Sequence, residues 1–177
     1  MLLKSKKKTK KTEGYLPFEE ALERSYQTRK MAAKSEVDLF IFAGTPDHKT
    51  AARKLFLRKA SERGDEIIIV PANEKDMAHF VLLLPEIRES LEKCAVHVIL
   101  HSGLRNDALE DVGNHQNGNV RLIQKTHSLP AGYFIVGDDM ISQYDSYNGH
   151  HRVWFYNQHY VGMIKRLISQ IQSSIRP

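Results

Sequence analysis

The sequence predicts an α/β fold: a mixed, mainly parallel sheet with helices on both faces and an antiparallel hairpin near the C-terminus. Three observations predict it. The runs VDLFIFAG (37–44), EIIIVPA (66–72) and AVHVILHSG (95–103) are apolar throughout, as strands buried on both faces are. Segments of helical composition separate them, which makes strand–helix–strand units and parallel pairing. Asn148-Gly149 stands between two alternating stretches, MISQYDSY (140–147) and HHRVWFYN (150–157). Asn-Gly is favoured in type I′ hairpin turns, which need positive φ at both central residues.

Each element has its own signal. Leu16-Pro17-Phe18 opens a helix expected to run to about Ser35, with Phe18, Leu22 and Tyr26 at four-residue spacing and Glu19, Glu20 and Glu23 early in it. Proline suits a helix start because its missing N–H has no partner there. After the first strand, Ala51, Ala52, Leu55, Phe56 and Lys59 mark a helix, and Gly64 is placed to cap its end. The segment 76–94 is a helix kinked or restarted at Pro85. Residues 104–118 are polar and rich in Asn, Asp and Gly, so a loop with about one helical turn is expected. NVRLIQKT (119–126) and GYFIVGD (132–138) follow as strands. The chain closes with a helix over 160–174, with Met163, Leu167, Ile168 and Ile171 on one face.

Composition bounds the function. The chain has 177 residues, 41% hydrophobic and 27% charged, which suits one domain with a full core. Its formal charge is +5, from 26 basic and 21 acidic side chains. Lys4, Lys6, Lys7, Lys8, Lys10 and Lys11 supply six of the basic ones, and leaving them out gives 20 against 21, or about −1 for the rest. A disordered lysine-rich tail (1–14) ahead of a single domain (15–177) is expected. The tail is a candidate arm for nucleic acid or another anionic surface. No aromatic residue interleaves its lysines to stack on bases. The longest apolar runs, such as FVLLLP (80–85), are too short to span a membrane, so a cytoplasmic protein is expected. Cys94 is the single cysteine, which rules out an internal disulfide and suits a small core residue.

One spacing carries chemistry. Asp138 is followed eight residues later by Ser146, and then by Asn148. With the order of elements, this resembles one half of a phospholipase D-like domain. That family's signature is His-x-Lys-x4-Asp and then Gly-Ser-x-Asn or Gly-Ser-x-x-Asn. Asp138, Ser146 and Asn148 fall on its Asp, Ser and Asn, with Asp145 where glycine is usual. In the family the histidine attacks phosphorus and becomes a covalent phospho-histidine, and the lysine neutralises the developing charge. Counting back from Asp138, those positions hold Ala131 and Tyr133. Neither supplies a nucleophile or a positive charge. Lys125 and His127 lie nearby, out of register, and share a strand face by the two-residue period. The family's active enzymes bring two such halves together, and this chain has room for one, so the resemblance implies a homodimer.

Other candidate residues follow from the sheet. Ligands of open α/β sheets sit beyond the carboxyl ends of the strands. That edge carries Thr45, Asp47 and His48 after the first strand, Asn73 after the second, and His101 and Ser102 after the third. Thr45, His48, His101 and Ser102 are the candidate ligand residues, although Thr45 or Asp47 also suits a helix cap. Gly44-Thr45-Pro46 has no Walker pattern. His150 and His151 are adjacent and so point to opposite faces of a strand, and both are expected to be exposed hairpin residues. No His-x3-His or cysteine pair gives metal-ligand spacing, so no metal or cofactor is expected.

Three functions follow. The first is a non-catalytic phospholipase D-like binding or scaffolding module that has lost the motif's histidine and lysine, with a second copy or another protein as partner. The second is an active phosphodiesterase or nuclease using His127. The third is a nucleic-acid-associated accessory protein acting through its lysine arm.

Overall fold

Isoleucine- and valine-rich runs build the centre of the molecule. The computed structural model describes residues 17–31, 39–43, 45–101, 103–123, 131–145, 147 and 149–173, with the backbone alone at 31 and 39–43. Helix α1 (Phe18–Met31) is followed by β1 (Leu39–Ala43), α2 (Pro46–Arg63), β2 (Ile67–Val70), α3 (Glu74–Leu82) and α4 (Leu84–Leu91). Then come β3 (Val96–His101), α5 (Asp107–Glu110) with a 3₁₀ turn (Asp111–Asn114), β4 (Gly118–Ile123), β5 (Gly132–Val136), β6 (Met140–Tyr144), β7 (His150–Trp154) and α6 (Gln158–Ser173). The lysine-rich segment with Lys4, Lys6, Lys7, Lys8, Lys10 and Lys11 lies outside the described residues.

The helix signals act where the sequence puts them. Thr45 caps α2, its side chain accepting from His48 N at 3.3 Å. Gly64 closes the same helix at φ 71°, the left-handed region where a β-carbon would strain the backbone. Pro85 lies in the first turn of α4, so 74–91 is two helices broken at Leu83. In α6 the buried stripe is Val161, Ile164 and Ile168, while Met163 is 44% exposed. The stripe is rotated from the expected one because Val161 and Ile164 follow the sheet surface.

Among the described residues the sheet has seven strands in the order β1-β7-β6-β5-β2-β3-β4. It is mixed, as expected, with a smaller parallel part than expected: β2–β3 and β3–β4 are parallel and the other neighbours antiparallel. β1 is not next to β2. It pairs with β7 at the sheet edge, Phe40 opposite Val153, and α2 carries the chain across three intervening strands. The hairpin also differs from a two-residue turn. Tyr144 pairs with His151, and Asp145 N donates to His150 O at 3.0 Å, which leaves four residues in the loop. Asp145 organises that loop, its carboxylate accepting from Tyr147 N at 2.9 Å. A short acidic side chain that captures the backbone two residues on makes this turn before Asn148-Gly149 is reached.

Both faces are covered. On the first, Leu22, Phe56, Phe80 and Ile87 of α1–α4 pack on Ile67, Ile69 and Phe134. On the second, α6, the one described helix on that face, packs on Tyr133, Ile135, Ile141 and Trp154. Trp154 and Phe155 are core residues of opposite faces, and Cys94 is buried. Each large side chain so buried contributes roughly 1.5–3 kcal/mol relative to exposure.

Candidate functional site

At the carboxyl ends of β2 and β3, beside the start of β5, lies a cleft of about 360 Å³. Its apolar side chains are Val70, Ile99, Ile123, Leu104 and Ala131, and polar groups line a comparable share of it. Asn73 and His101 are its polar side chains, and no charged side chain lines it among the described residues. This is the sheet edge where ligands of α/β folds bind. It arises because β2 and β3 run parallel while β5 starts there antiparallel, so two loops leave and one strand enters.

Hydrogen bonds fix what the two polar side chains can offer. Asn73 caps α3, its Oδ1 accepting from Asp76 N at 3.0 Å, so its amide N–H groups remain as donors. His101 Nδ1 accepts from Gly103 N at 3.2 Å. A ring nitrogen that accepts carries no proton, so the ring hydrogen sits on Nε2. Both side chains therefore present donors, and the ring lone pair that could attack an electrophile is engaged.

A basic network beneath the first face holds this edge. Asp76 is fully buried and forms an ion pair with Arg53, and its other oxygen accepts from Ala72 N at 3.0 Å in the cleft wall. Arg53 also donates from NH1 to His79 Nδ1 at 2.7 Å and lies over the Phe80 ring. His79 then bears its proton on Nε2, which reaches Thr50 Oγ1 at 3.2 Å. Burial first, then the Arg53 charge, lowers the His79 pKa. His151 is 1% exposed, with its ring 4.9 Å from that of Tyr144. Burial, then Arg53, Lys49 and His79, push it down to about 2. Both histidines are therefore neutral at physiological pH. His151 corrects the expectation of two exposed hairpin histidines: it shares a strand face with core residue Val153, whereas His150 is exposed. That alternation was the signal in the sequence. Nothing in sequence spacing joins Arg53, Asp76 and His79, which meet only because α2 and α3 pack together.

The candidate residues read from the sequence disperse. His101 lines the cleft. Ser102, His127, Ser146 and Asn148 lie outside the described residues. Thr45 is engaged as a helix cap, and the His48 ring stacks on Phe18 with centroids 4.1 Å apart. Both follow β1, which three strands separate from β2. Asp138 lies beyond the far end of β5 from the cleft, roughly 16 Å along the strand. It pairs there with Lys165 at 2.8 Å, and Asp139 pairs with Arg63 at 2.7 Å. Each acid of this turn is matched by a cation, Lys165 shared with Glu66 and Arg63 with Asp65. At the motif's other positions, Ala131 and Tyr133 are 4% and 3% exposed. Burial, with Tyr160 beside it, pushes the Tyr133 hydroxyl up to about 12.

No family model matches the sequence. No curated protein matches it either. The fold, however, is similar to that of solved structures. One is Nuc from Salmonella typhimurium, a phospholipase D family member, with a TM-score of 0.51 and 12% identity over 78% of this chain and 95% of that one. Another is polyphosphate kinase from Porphyromonas gingivalis, with a TM-score of 0.53 and 12% identity over 86% of this chain. This chain covers 29% of the kinase. Likeness at this identity speaks for architecture alone, and the architecture of this chain is the phospholipase D-like α/β fold.

Proposed function

We propose that the protein is a non-catalytic phospholipase D-like module that binds a ligand or partner at the carboxyl edge of its sheet and acts as a homodimer. The observation that carries this reading is at β5. The positions of the motif's histidine and lysine hold Ala131 and Tyr133, both buried in the apolar layer under α6. Phosphoryl transfer needs a nucleophile and positive charge at the phosphoryl oxygens. Among the described residues the cleft offers neither, since the His101 ring acceptor is occupied and no Lys or Arg lines the wall. The homodimer rests on the resemblance to enzymes that join two halves.

The test is turnover of bis(p-nitrophenyl) phosphate and of single- and double-stranded DNA by the purified chain. No turnover above buffer is expected. Activity that survives purification and disappears in His127→Ala would establish the phosphodiesterase instead. Light scattering after size exclusion tests the oligomer: a mass near twice 20.3 kDa is expected, and a monomer at all concentrations overturns the dimer.

A further inference from the structure

We propose that the cleft at the ends of β2 and β3 binds a small, largely apolar organic molecule by an acceptor oxygen, a carbonyl or carboxylate, held between Asn73 and His101. This rests on the reading of the chain as a binding module and names the chemistry of its ligand.

The volume, about 360 Å³, lies within the roughly 300–1,000 Å³ of small-molecule pockets. The walls give an apolar body a place to lose water, through Val70, Ile99, Ile123, Leu104 and Ala131. The polar complement is one-sided. Asn73 has committed its oxygen to Asp76 N, and His101 has committed its acceptor nitrogen to Gly103 N. Both keep N–H groups free of these bonds, which an acceptor on the ligand would satisfy. A phosphodiester would bring a full charge and several acceptors to a wall that carries no Lys or Arg among the described residues. A single carbonyl or carboxylate oxygen suits donors on two side chains of one cleft, beside the first turn of α3, whose helix dipole adds to them.

The edge is also built to stay in place. Asp76 holds Ala72 N from behind, and Gly132 lies against it so closely that a Cβ there would come within 2.5 Å of the Asp76 carboxylate. The donors are thus presented by a buried scaffold rather than by a free loop, which lowers the ordering cost of binding.

The experiment uses the full chain with four probes sharing short alkyl bodies: octanamide, octanoate, octylamine and dibutyl phosphate. Amide shifts of Ala72, Gly103, Leu104 and Ala131 in two-dimensional NMR are the readout. Octanamide, octanoate or both are expected to shift these amides saturably, and which of the two binds tighter separates carbonyl from carboxylate. His101→Phe should weaken that binding roughly tenfold, as loss of one hydrogen bond does, and Ala131→Leu should abolish it by filling the cleft. Should either variant fail to fold, the wild-type amide map decides. Absence of binding by both oxygen probes overturns the proposal. So does equal binding of octylamine, tighter binding of dibutyl phosphate, or shifts confined to other parts of the fold. Turnover of bis(p-nitrophenyl) phosphate would overturn the non-catalytic reading while leaving this ligand chemistry to its own readout.

Discussion

His151 lies 1% exposed among Lys49, Arg53 and His79, with the Tyr144 ring tilted beside it and Asp76 the one buried acid among the described residues. A histidine held near 2 when folded titrates at about 6.5 once unfolded. Below about pH 6.5 the unfolded chain therefore binds the extra proton, and stability falls with pH until the folded value is reached. Above that pH nothing is lost. For one such histidine the loss from about pH 7.5 to 5.5 is about 1.4 kcal/mol, and His79 adds to it in the same direction. Urea unfolding at the two pH values measures this, and His151→Phe should remove its share while keeping a ring against Tyr144. An unchanged difference in that variant would place the titration elsewhere. The Arg53–Asp76 pair makes a second prediction. Asp76→Asn leaves the Arg53 guanidinium, 2% exposed, without its counter-charge, which costs about 3–5 kcal/mol. Replacing both partners by Met and Leu should recover most of that loss in urea unfolding, since an apolar pair carries no buried charge.

At the scale of elements, β5 links the sequence to the site. Its position, the restart of α4 at Pro85 and the Gly64 cap were legible because local chemistry alone decides them. The place of β1 was not. A wholly apolar strand reads the same next to β2 or three strands away, and long-range pairing with β7 decides it. The site was partly legible: Asn73 and His101 follow from the strand-end rule, whereas Ala131 joins them through the antiparallel entry of β5. Strand direction also separates the motif's residues. The start of β5 faces the cleft, and its end delivers Asp138 to the opposite edge, with its side chain 86% exposed beside Lys165. Asp138→Ala should therefore cost under about 1 kcal/mol, as exposed pairs do, and leave the cleft's ligand affinity unchanged. Gly132→Ala should do the reverse. Its methyl meets the Asp76 carboxylate at 2.5 Å and Ala72 N at 2.8 Å, groups that cannot yield without breaking their bond. A loss of roughly 1–3 kcal/mol is expected, with the Ala72 amide resonance displaced, and thermal unfolding with NMR reads both.

For the whole molecule the charge distribution decides the last question. The formal +5 divides into six lysines within the first dozen residues and about −1 over the remainder, from 20 basic and 21 acidic side chains. A pI near 9.3 thus describes the N-terminal segment rather than the folded surface. On the described surface several cations are held in pairs: Lys54 with Glu86, Arg58 with Glu23, Arg88 with Asp111 and Arg105 with Glu110. Charges already paired release few counterions from a polyanion, and the remainder is close to neutral, so the clustered lysines are the first candidate for affinity to nucleic acid. With six lysines the logarithm of the binding constant should fall against the logarithm of salt with a slope no steeper than about −5. Removing residues 1–12 should abolish binding to duplex DNA in a fluorescence-anisotropy titration while the thermal midpoint stays where it was. Binding that survives this deletion at equal salt slope would move the interface onto the folded domain and end the case for the arm. Loss of binding together with the thermal midpoint would instead assign the segment a structural role, which the same melting curve detects.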